Sequence, residues 1–133
     1  MATIGDKQAQ LLTAGNLAHV ATFRRDGSPH LTVTWVDWDG ESVLVNTAVG
    51  RAKERHLRRD PRAAVEVADP DDPYNYVSVS GPVELVEGQE ANEHIDKLAQ
   101  RYLGVESYPN RSPGEQRVIV KIRPEHVYFP QFG

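Results

Sequence analysis

The fold is decided by YNYVSVSGPVELV, residues 74–86 of the sequence. Tyrosine and serine alternate there with valine, which is the period-2 pattern of a β-strand that has one buried face. Gly81 and Pro82 interrupt the pattern, and proline cannot donate a hydrogen bond to a neighbouring strand. The stretch therefore predicts a long strand with a bulge or a barrel corner at Gly81 and Pro82, rather than an unbroken central strand.

Shorter strands are predicted on both sides of this stretch, each rich in β-branched or aromatic residues and bounded by turn residues. They are residues 17–23, 30–36, 42–47 and 63–67, and residues 117–123 with a continuation past Pro124 into 126–129. Hairpin turns at Asp26-Gly27 and at residues 37–40 are predicted to join the first three strands into a meander, and residues 69–73 form a turn-rich loop. These strands and turns indicate a mainly β, antiparallel barrel or sandwich with a few short helices.

Two helices are predicted outside the cationic part of the chain. Thr3 resembles a helix cap with Asp6 three positions later, which predicts a short helix that ends near Gly15. Apolar residues recur at helical spacing over residues 89–101 and predict a second, longer helix there. Residues 104–114 follow it as a loop.

A third helix is predicted in RAKERHLRRDPR, residues 51–62, a cationic run in a chain whose formal net charge is −4. The run follows Gly50 and stops before Pro61, because the residue preceding a proline is pushed out of the helical region. We expect one or two helical turns here. The first amides of such a helix lack intrahelical partners and lie at the positive end of its dipole, so we expect an anion at the helix start.

The side chains of this run suit a phosphate ligand. Arg51 can grip a phosphate with its planar guanidinium, and Lys53 can supply a mobile point charge. An alternative is a solvated helix in which Glu54 and Arg58 form an ordinary i,i+4 ion pair. From the residues alone both interpretations stay open.

The composition limits the class of protein. A chain of 133 residues is long enough for one domain, predicted over residues 1–133. It contains no cysteine, and we expect a cytoplasmic location without disulfides. No signal peptide and no apolar run approaching ~20 residues is present, so we expect no membrane contact. The acidic balance weighs against nucleic acid as a partner, and the five scattered histidines predict no metal site.

Three segments together resemble the pyridoxamine 5′-phosphate oxidase-like superfamily, and more narrowly its small deazaflavin (F420)-dependent reductases. They are residues 21–30, the strand around Thr34-Trp35-Val36, and residues 50–62. The resemblance covers nearly the whole chain. It implies a split β-barrel homodimer that binds coenzyme F420 in two sites at the dimer interface.

The resemblance also implies which residues contact the cofactor. They are Arg51 and Lys53 for the phosphate; Thr47, Ala48 and Ala52 for the phosphate and sugar-alcohol chain; Thr32, Val33, Thr34 and Trp35 along the flat ring, with Asn46 behind it; and Tyr74 and Tyr76 from the second subunit. Relatives often carry smaller or amide side chains where Trp35 stands. Trp35 is therefore expected to change the space over the ring and with it the substrate.

The implied function is hydride transfer between reduced F420 and a planar conjugated small molecule, such as a quinone, a tetrapyrrole or an enone. Because the cofactor carries this chemistry, the protein must hold the ring and orient the acceptor, and no catalytic triad is required. Candidates for a proton donor are Tyr74, Tyr76, His30 and solvent.

Two further functions are compatible with the sequence. One is an FMN-dependent enzyme like pyridoxamine-phosphate oxidase, and the other is a non-catalytic F420-binding or storage protein. F420 ends in a tail of carboxylates, which Arg55, Arg58 and Arg59 could meet, although exposed ion pairs contribute only ~0–1 kcal/mol each.

Overall fold

The computed structural model describes residues 2–131. The elements follow one another as α1 (Asp6–Thr13), β1 (Ala18–Phe23), β2 (Pro29–Thr34), β3 (Asp37–Trp38), β4 (Val43–Ala48), α2 (Ala52–Arg59), β5 (Arg62–Asp69), β6 (Asp72–Glu87), α3 (Gln89–Leu103), β7 (Arg117–Ile122) and β8 (His126–Tyr128). The prediction of one domain over residues 1–133 includes Met1, Phe132 and Gly133, which lie outside the described residues.

The strands form one antiparallel sheet in the order β2-β1-β5-β6-β7-β4-β3, with β8 beside β6. Strands β2 and β3 are the two ends of this order, and within residues 2–131 no strand pairing joins them into a closed barrel. The mainly β, antiparallel split-barrel architecture with short helices, predicted from the sequence, is confirmed.

Strand β6 connects the two halves of the sheet. It pairs with β5 as far as Pro82 and with β7 from Val83 onward, so the corner predicted at Gly81 and Pro82 is present. The chain between β7 and β8 follows this corner: Arg123 N donates to Pro82 O at 3.0 Å and Glu125 N donates to Ser80 O at 3.0 Å. Residues 117–129 are therefore two strands on different parts of β6, and the prediction of one strand continuing past Pro124 was wrong.

The predicted meander was also wrong. Strand β4 does not lie beside β2 but pairs with β3 and β7 at the opposite end of the sheet. Asp37 and Trp38, predicted as part of a turn, form β3, and the chain reverses instead at Asp39, whose Oδ1 accepts from Ser42 N at 2.7 Å. Asp37 is buried there and pairs with Lys97 and Arg101 of α3, which are contacts between distant parts of the chain that a local turn pattern does not reveal.

The boundaries of three other segments differ from those predicted from the sequence. Helix α1 has Gly5 rather than Thr3 as its N-cap and makes no side-chain capping bond, because the helix begins only at Asp6. The loop predicted over residues 69–73 is shorter in the structure, because Asp69 pairs with Asp72 across the β5–β6 hairpin. Helix α3 confirms the periodicity of residues 89–101 and extends it to Leu103.

The core lies inside the curved sheet, where inward-facing valines of the strands pack with Leu12 of α1 and Leu57 of α2. A second cluster joins Ala91 of α3 to Leu44 and Ile119 on the neighbouring strands. Burial of Leu57 holds α2 against the sheet, and this determines where the start of the cationic helix lies. None of the helices in residues 2–131 is long and apolar enough to cross a membrane.

Replacing Gly81 with alanine should destabilise the fold by about 3 kcal/mol or more, because overpacking against fixed backbone is costly. A Cβ at this position would overlap the carbonyl oxygen of Arg123, and the chain has no flexible side chain there to move aside. Urea unfolding followed by circular dichroism measures the loss. Ser80→Ala, one position earlier on β6, is the matched control and should change stability little. Equal stability of the Gly81→Ala variant and the native protein would show that the corner is not tight.

Candidate functional site

Helix α2 starts directly after β4, and the carboxylate of Glu54 ties the two elements together. Glu54 is buried; its Oε1 accepts from Gly50 N at 2.9 Å and its Oε2 accepts from Arg58 Nε at 2.8 Å. These hydrogen bonds from Arg58 and Gly50 lower the pKa of Glu54, so it is ionised. Gly50 has a φ of 93°, a conformation that other residues rarely adopt. The Glu54–Arg58 pair predicted for a solvated helix is thus present, but it anchors the helix start.

Two cations lie at this helix start without a carboxylate partner. Lys53 is half-buried, and its Nζ donates to Thr32 Oγ1 at 2.8 Å. Neither Lys53 nor Arg51 forms an ion pair with any carboxylate of residues 2–131. Burial, and then the nearby charge of Arg51, lower the pKa of Lys53. The charge of Arg51 helps to lower the pKa of Glu115, but an anion bound at the helix start would be a direct partner for both cations.

A cavity of about 240 Å³ opens beside these cations, between β2, β4, α3 and the loop before β7. Its lining includes five residues that the sequence predicted as cofactor contacts, namely Val33, Thr34, Trp35, Asn46 and Arg51. The other lining residues are Leu17, Ile95, Leu98, Tyr108, Asn110 and Arg117. The lining is mixed: apolar and aromatic side chains alternate with a threonine, two amides and two arginines, which can orient a small ligand.

Trp35 forms an aromatic wall of this cavity. Its ring stacks on Tyr102 with centroids 5.1 Å apart and meets Tyr108 edge-on at 6.1 Å. The Tyr102 hydroxyl donates to Asn16 O at 2.5 Å and accepts from Val36 N at 3.0 Å. These contacts hold the Trp35 indole in place.

Arg117, at the start of β7, is only 3% exposed yet lines the cavity. Its Nε donates to Asn46 Oδ1 at 2.9 Å, and its Nη1 donates to Glu115 Oε1 at 2.5 Å. The guanidinium carbon lies 5.1 Å from the centre of the Tyr108 ring. Burial by itself would raise the pKa of Glu115, but the hydrogen bonds from Arg117 and from Ser112 N outweigh it and lower that pKa.

Sequence reasoning missed Arg117, Glu115, Tyr108 and Asn110. The last three lie in the loop 104–116, where no periodic pattern marks them, and Arg117 was interpreted only as the first residue of a strand. The one available signal was a charged residue at the head of the apolar run Val118–Val120.

Asn46 links the cavity to a buried acid. Its Nδ2 donates to Ala91 O at 3.0 Å and lies 3.2 Å from His94 Nδ1, while His94 Nε2 lies 3.3 Å from Asp37 Oδ2. Asp37 is 1% exposed and also pairs with Lys97 at 3.2 Å and, through Oδ1, with Arg101 at 3.0 Å. Burial alone would raise the pKa of Asp37, but hydrogen bonds from His94, from the Trp38 amide and from Arg101 hold it well below the usual range.

The remaining predicted residues lie around rather than in the cavity. Thr47 and Ala48 are buried on β4 and Ala52 is the first residue of α2, so all three adjoin the cationic helix start. In the single chain, Tyr74 and Tyr76 do not line the cavity. Tyr74 is exposed, and Tyr76 packs near Tyr128 with ring centres 6.1 Å apart.

His30, a predicted proton-donor candidate, lies under α2 rather than in the cavity. Its ring meets His56 edge-on at 5.2 Å, and His56 Nδ1 lies 2.9 Å from Thr22 Oγ1. Burial, followed by the charges of His30 and Arg59, lowers the pKa of His56. The described residues 2–131 hold no group of three or more His, Cys, Asp or Glu side chains that could bind a metal ion.

The later arginines of α2 differ in their surroundings. Arg58 is compensated by Glu54 and by Glu87 at 3.2 Å, whereas Arg55 and Arg59 each donate to a backbone carbonyl oxygen. All three line a surface groove of about 470 Å³. The groove is lined by Arg24, Arg25, Arg55, His56, Arg58 and Arg59, so the β1–β2 turn adds two cations that were not predicted as site residues.

The outer face of β2 is apolar. Thr32 and Thr34 point partly inward, while Leu31 is 68% and Val33 is 55% exposed, so the predicted alternation is present with its apolar face outward. A surface groove of about 490 Å³ runs along this face, lined by Leu31, Val33 and the neighbouring strands β1, β5 and β6. Val33 also lines the 240 Å³ cavity and so connects the two.

Comparison with known proteins places this geometry in context. A family model described as pyridoxamine 5′-phosphate oxidase matches residues 4–130. A solved F420 reductase is 33% identical, with a TM-score of 0.82, over 94% of this chain and 98% of that one. A conserved hypothetical protein from Mycobacterium tuberculosis is 28% identical, with a TM-score of 0.73, over 94% and 83%. A heme binding protein from Mycobacterium smegmatis, 20% identical with a TM-score of 0.62 over 95% and 54%, shares the fold.

Asp37→Asn should destabilise the protein by roughly 3 kcal/mol at pH 7, because it removes the countercharge of the half-buried Arg101. The native pKa of Asp37 is depressed, so its contribution is present above the unfolded-state pKa of about 3.9 and is lost as pH falls toward the folded-state value. The difference in free energy of unfolding between the native protein and the variant should therefore be smaller at pH 3 than at pH 7. Urea unfolding at pH 7 and pH 3, at one protein concentration, measures both differences.

The control for this experiment is Asp71→Asn, which changes an exposed aspartate in the β5–β6 turn. It should alter stability by less than about 0.5 kcal/mol at either pH. A difference for Asp37→Asn that is as large at pH 3 as at pH 7 would contradict the assigned charge.

Proposed function

The chain belongs to the pyridoxamine 5′-phosphate oxidase family, and from that premise we propose that it is an F420-dependent oxidoreductase acting on a planar conjugated small molecule. The family and the 33% identical F420 reductase support an oxidoreductase related to flavin and deazaflavin enzymes. The observation that carries the choice of ligand is the pair Arg51 and Lys53, two cations at a helix start that form no ion pair with a carboxylate of residues 2–131.

The donor set at this helix start fits a phosphodiester. The first intrahelical bond of α2 runs from Arg55 N to Arg51 O at 3.1 Å, so the amides of Ala52, Lys53 and Glu54 precede the bonded part of the helix. They lie at the positive end of the helix dipole, beside the side chains of Arg51 and Lys53. A bound phosphate would neutralise the half-buried ammonium of Lys53, which otherwise has only a hydroxyl partner.

The cavity beside the clamp is the proposed place of the flat ring. Its aromatic wall is Trp35, and Val33 supplies apolar surface beside it. When bound, the deazaflavin supplies the hydride chemistry. The protein's own part is to hold the ring, keep the site dry and orient the acceptor.

The carboxylate tail of the cofactor is proposed to extend toward Arg55 and Arg59. Arg58 is excluded from this role because Glu54 and Glu87 already compensate its charge. A cofactor lacking the tail should bind more weakly only if these two arginines meet it.

We further propose a homodimer in which a second copy covers the outer face of β2. Soluble monomers rarely expose large contiguous apolar patches, and Leu31 and Val33 together present one here. Because Val33 lines both the outer groove and the cavity, a partner on this face would reach the mouth of the cavity. Tyr74 and Tyr76 of the second subunit are the proposed contributors.

FMN is the second candidate cofactor, because it also ends in a phosphate that the same clamp fits. Titration separates the two: FMN binding tighter than F420 would reassign the enzyme. Tight F420 binding without turnover of any quinone, enone or tetrapyrrole would instead indicate a binding or storage protein.

Lys53→Ala should weaken F420 binding by roughly 10- to 100-fold, because a hydrogen bond to a charged group contributes about 1.5–3 kcal/mol. Quenching of F420 fluorescence on titration with protein measures the dissociation constant. Lys7→Ala, on the exposed surface of α1, is the matched control and should bind as the native protein does. An unchanged dissociation constant for Lys53→Ala would remove the proposed clamp.

Leu31→Lys should weaken the proposed dimer and F420 binding together, because it places a charge in the apolar face that the partner would cover. Sedimentation velocity at micromolar protein measures the oligomeric state. Leu103→Lys is the control, since Leu103 is an exposed leucine at the end of α3 away from this face. The dimer proposal fails if the native protein sediments as a monomer, or if Leu31→Lys remains dimeric.

A further inference from the structure

The guanidinium of Arg117 is held in one orientation by three different parts of the chain. Asn46 on β4 accepts from Nε at 2.9 Å, Glu115 in the preceding loop accepts from Nη1 at 2.5 Å, and the Tyr108 ring lies 5.1 Å from the guanidinium carbon. An arginine buried this deeply needs such partners in any role, and here they also determine the direction of its guanidinium. This one is preorganised, as ligand-binding groups are.

The donors of Arg117 are not exhausted by these contacts. A guanidinium carries five N–H donors, and the contacts with Asn46 and Glu115 use two of them. Arg117 nevertheless lines the cavity, together with Arg51, and no carboxylate is among the lining residues. The cavity therefore offers hydrogen-bond donors to a ligand, while Glu115, outside the lining, balances the charge of Arg117.

Both amide atoms of Asn46 already have partners within the protein. Its Oδ1 accepts from Arg117, and its Nδ2 faces both Ala91 O at 3.0 Å and His94 Nδ1 at 3.2 Å. The role implied by the resemblance, a direct contact behind the ring, is thus better described as positioning. Asn46 orients Arg117, and Arg117 is the group that faces the ligand.

The walls of the cavity select the shape of the ligand. The Trp35 and Tyr108 rings, which both line the cavity, meet at 88°. A flat conjugated ring fits such walls, and hydrogen bonds from a charged donor are stronger where water is excluded. A ring that enters here must present an acceptor atom to Arg117.

We propose that Arg117 binds a carbonyl or anionic oxygen on a flat conjugated ligand in the 240 Å³ cavity, with Asn46 and Glu115 as its positioning residues. This inference rests on the proposed function. The shared chemistry is a ring-bound oxygen, and both the deazaflavin ring and a carbonyl-bearing acceptor provide one. The experiment distinguishes these two sources.

The test uses two variants, because removing Arg117 alone would leave Glu115 buried without a partner. The double variant Glu115→Gln, Arg117→Gln removes both charges, and Arg117→Lys keeps the charge but loses the planar fork. Arg111→Gln is the control, since this exposed arginine of the same loop pairs with Asp96 at 2.6 Å outside the cavity. Thermal unfolding establishes that each variant is folded.

Binding is measured with two probes, F420 and its riboflavin-like precursor chromophore, which has the ring but no phosphate or tail. If the oxygen belongs to the cofactor ring, both dissociation constants should rise about 10-fold or more in the double variant, and several-fold in Arg117→Lys. The Lys53 clamp cannot cause a loss with the phosphate-free probe. Arg111→Gln should bind both probes as the native protein does.

If the oxygen belongs to the acceptor, both dissociation constants should stay unchanged. The KM for menadione, a flat quinone, should then rise about 10-fold, while the KM for methylene blue, a flat dye without oxygen, should not. The inference is overturned if folded variants keep both dissociation constants and the menadione KM within twofold of native values. A native protein that binds neither probe would overturn the proposed function and this inference with it, so the two failures are distinguishable.

Discussion

The close approach of the chain at Arg123 to the backbone of Gly81 is the constraint on which the rest of the structure depends. Strand β6 pairs with β5 before this point and with β7 after it, so one continuous strand belongs to both halves of the sheet. The chain leaving β7 crosses the corner and pairs β8 with the first part of β6. Only a residue without a Cβ permits this crossing. The corner turns the β1–β2 half toward the β4–β7 half, and both the cation pair and the cavity lie between them.

The sequence predicted the parts of the fold that depend on local pattern. Helix α3, the corner at Gly81 and Pro82, and the helix start after Gly50 each follow from residues within a few positions of one another. The pairing of strands in the sheet could not be predicted in this way, because the alternation within a strand shows which face is buried but not which strand lies beside it. Strand β4 was assigned to β2 by nearness in the chain. It pairs instead with β7, more than sixty residues later, and the preceding Asp37 is buried against Arg101 of α3.

In the candidate site, too, some residues could be predicted from the local sequence and others could not. Arg51 and Lys53 could be predicted because a cluster of charge beside a glycine and a strand is visible in one short segment. Arg117 could not be predicted as a site residue, because its position depends on a hydrogen bond to Asn46, 71 positions earlier, and on the burial that the fold imposes. Arg58 shows the converse: sequence grouped it with its neighbours, and the structure separates it because Glu87 of β6 compensates its charge.

The hydrogen bonds from Arg117 to Asp37 form a single directed chain. Because Asn46 Oδ1 accepts from Arg117, its amide nitrogen must face His94, and His94 Nδ1 can only accept from it. The proton of the neutral imidazole then resides on Nε2, where it donates to Asp37. A flipped amide at Asn46 would set two donors against each other at Arg117 and would also break the bond to Ala91 O. The chain of hydrogen bonds that starts at Arg117 therefore ends at a carboxylate that stays ionised although it is buried.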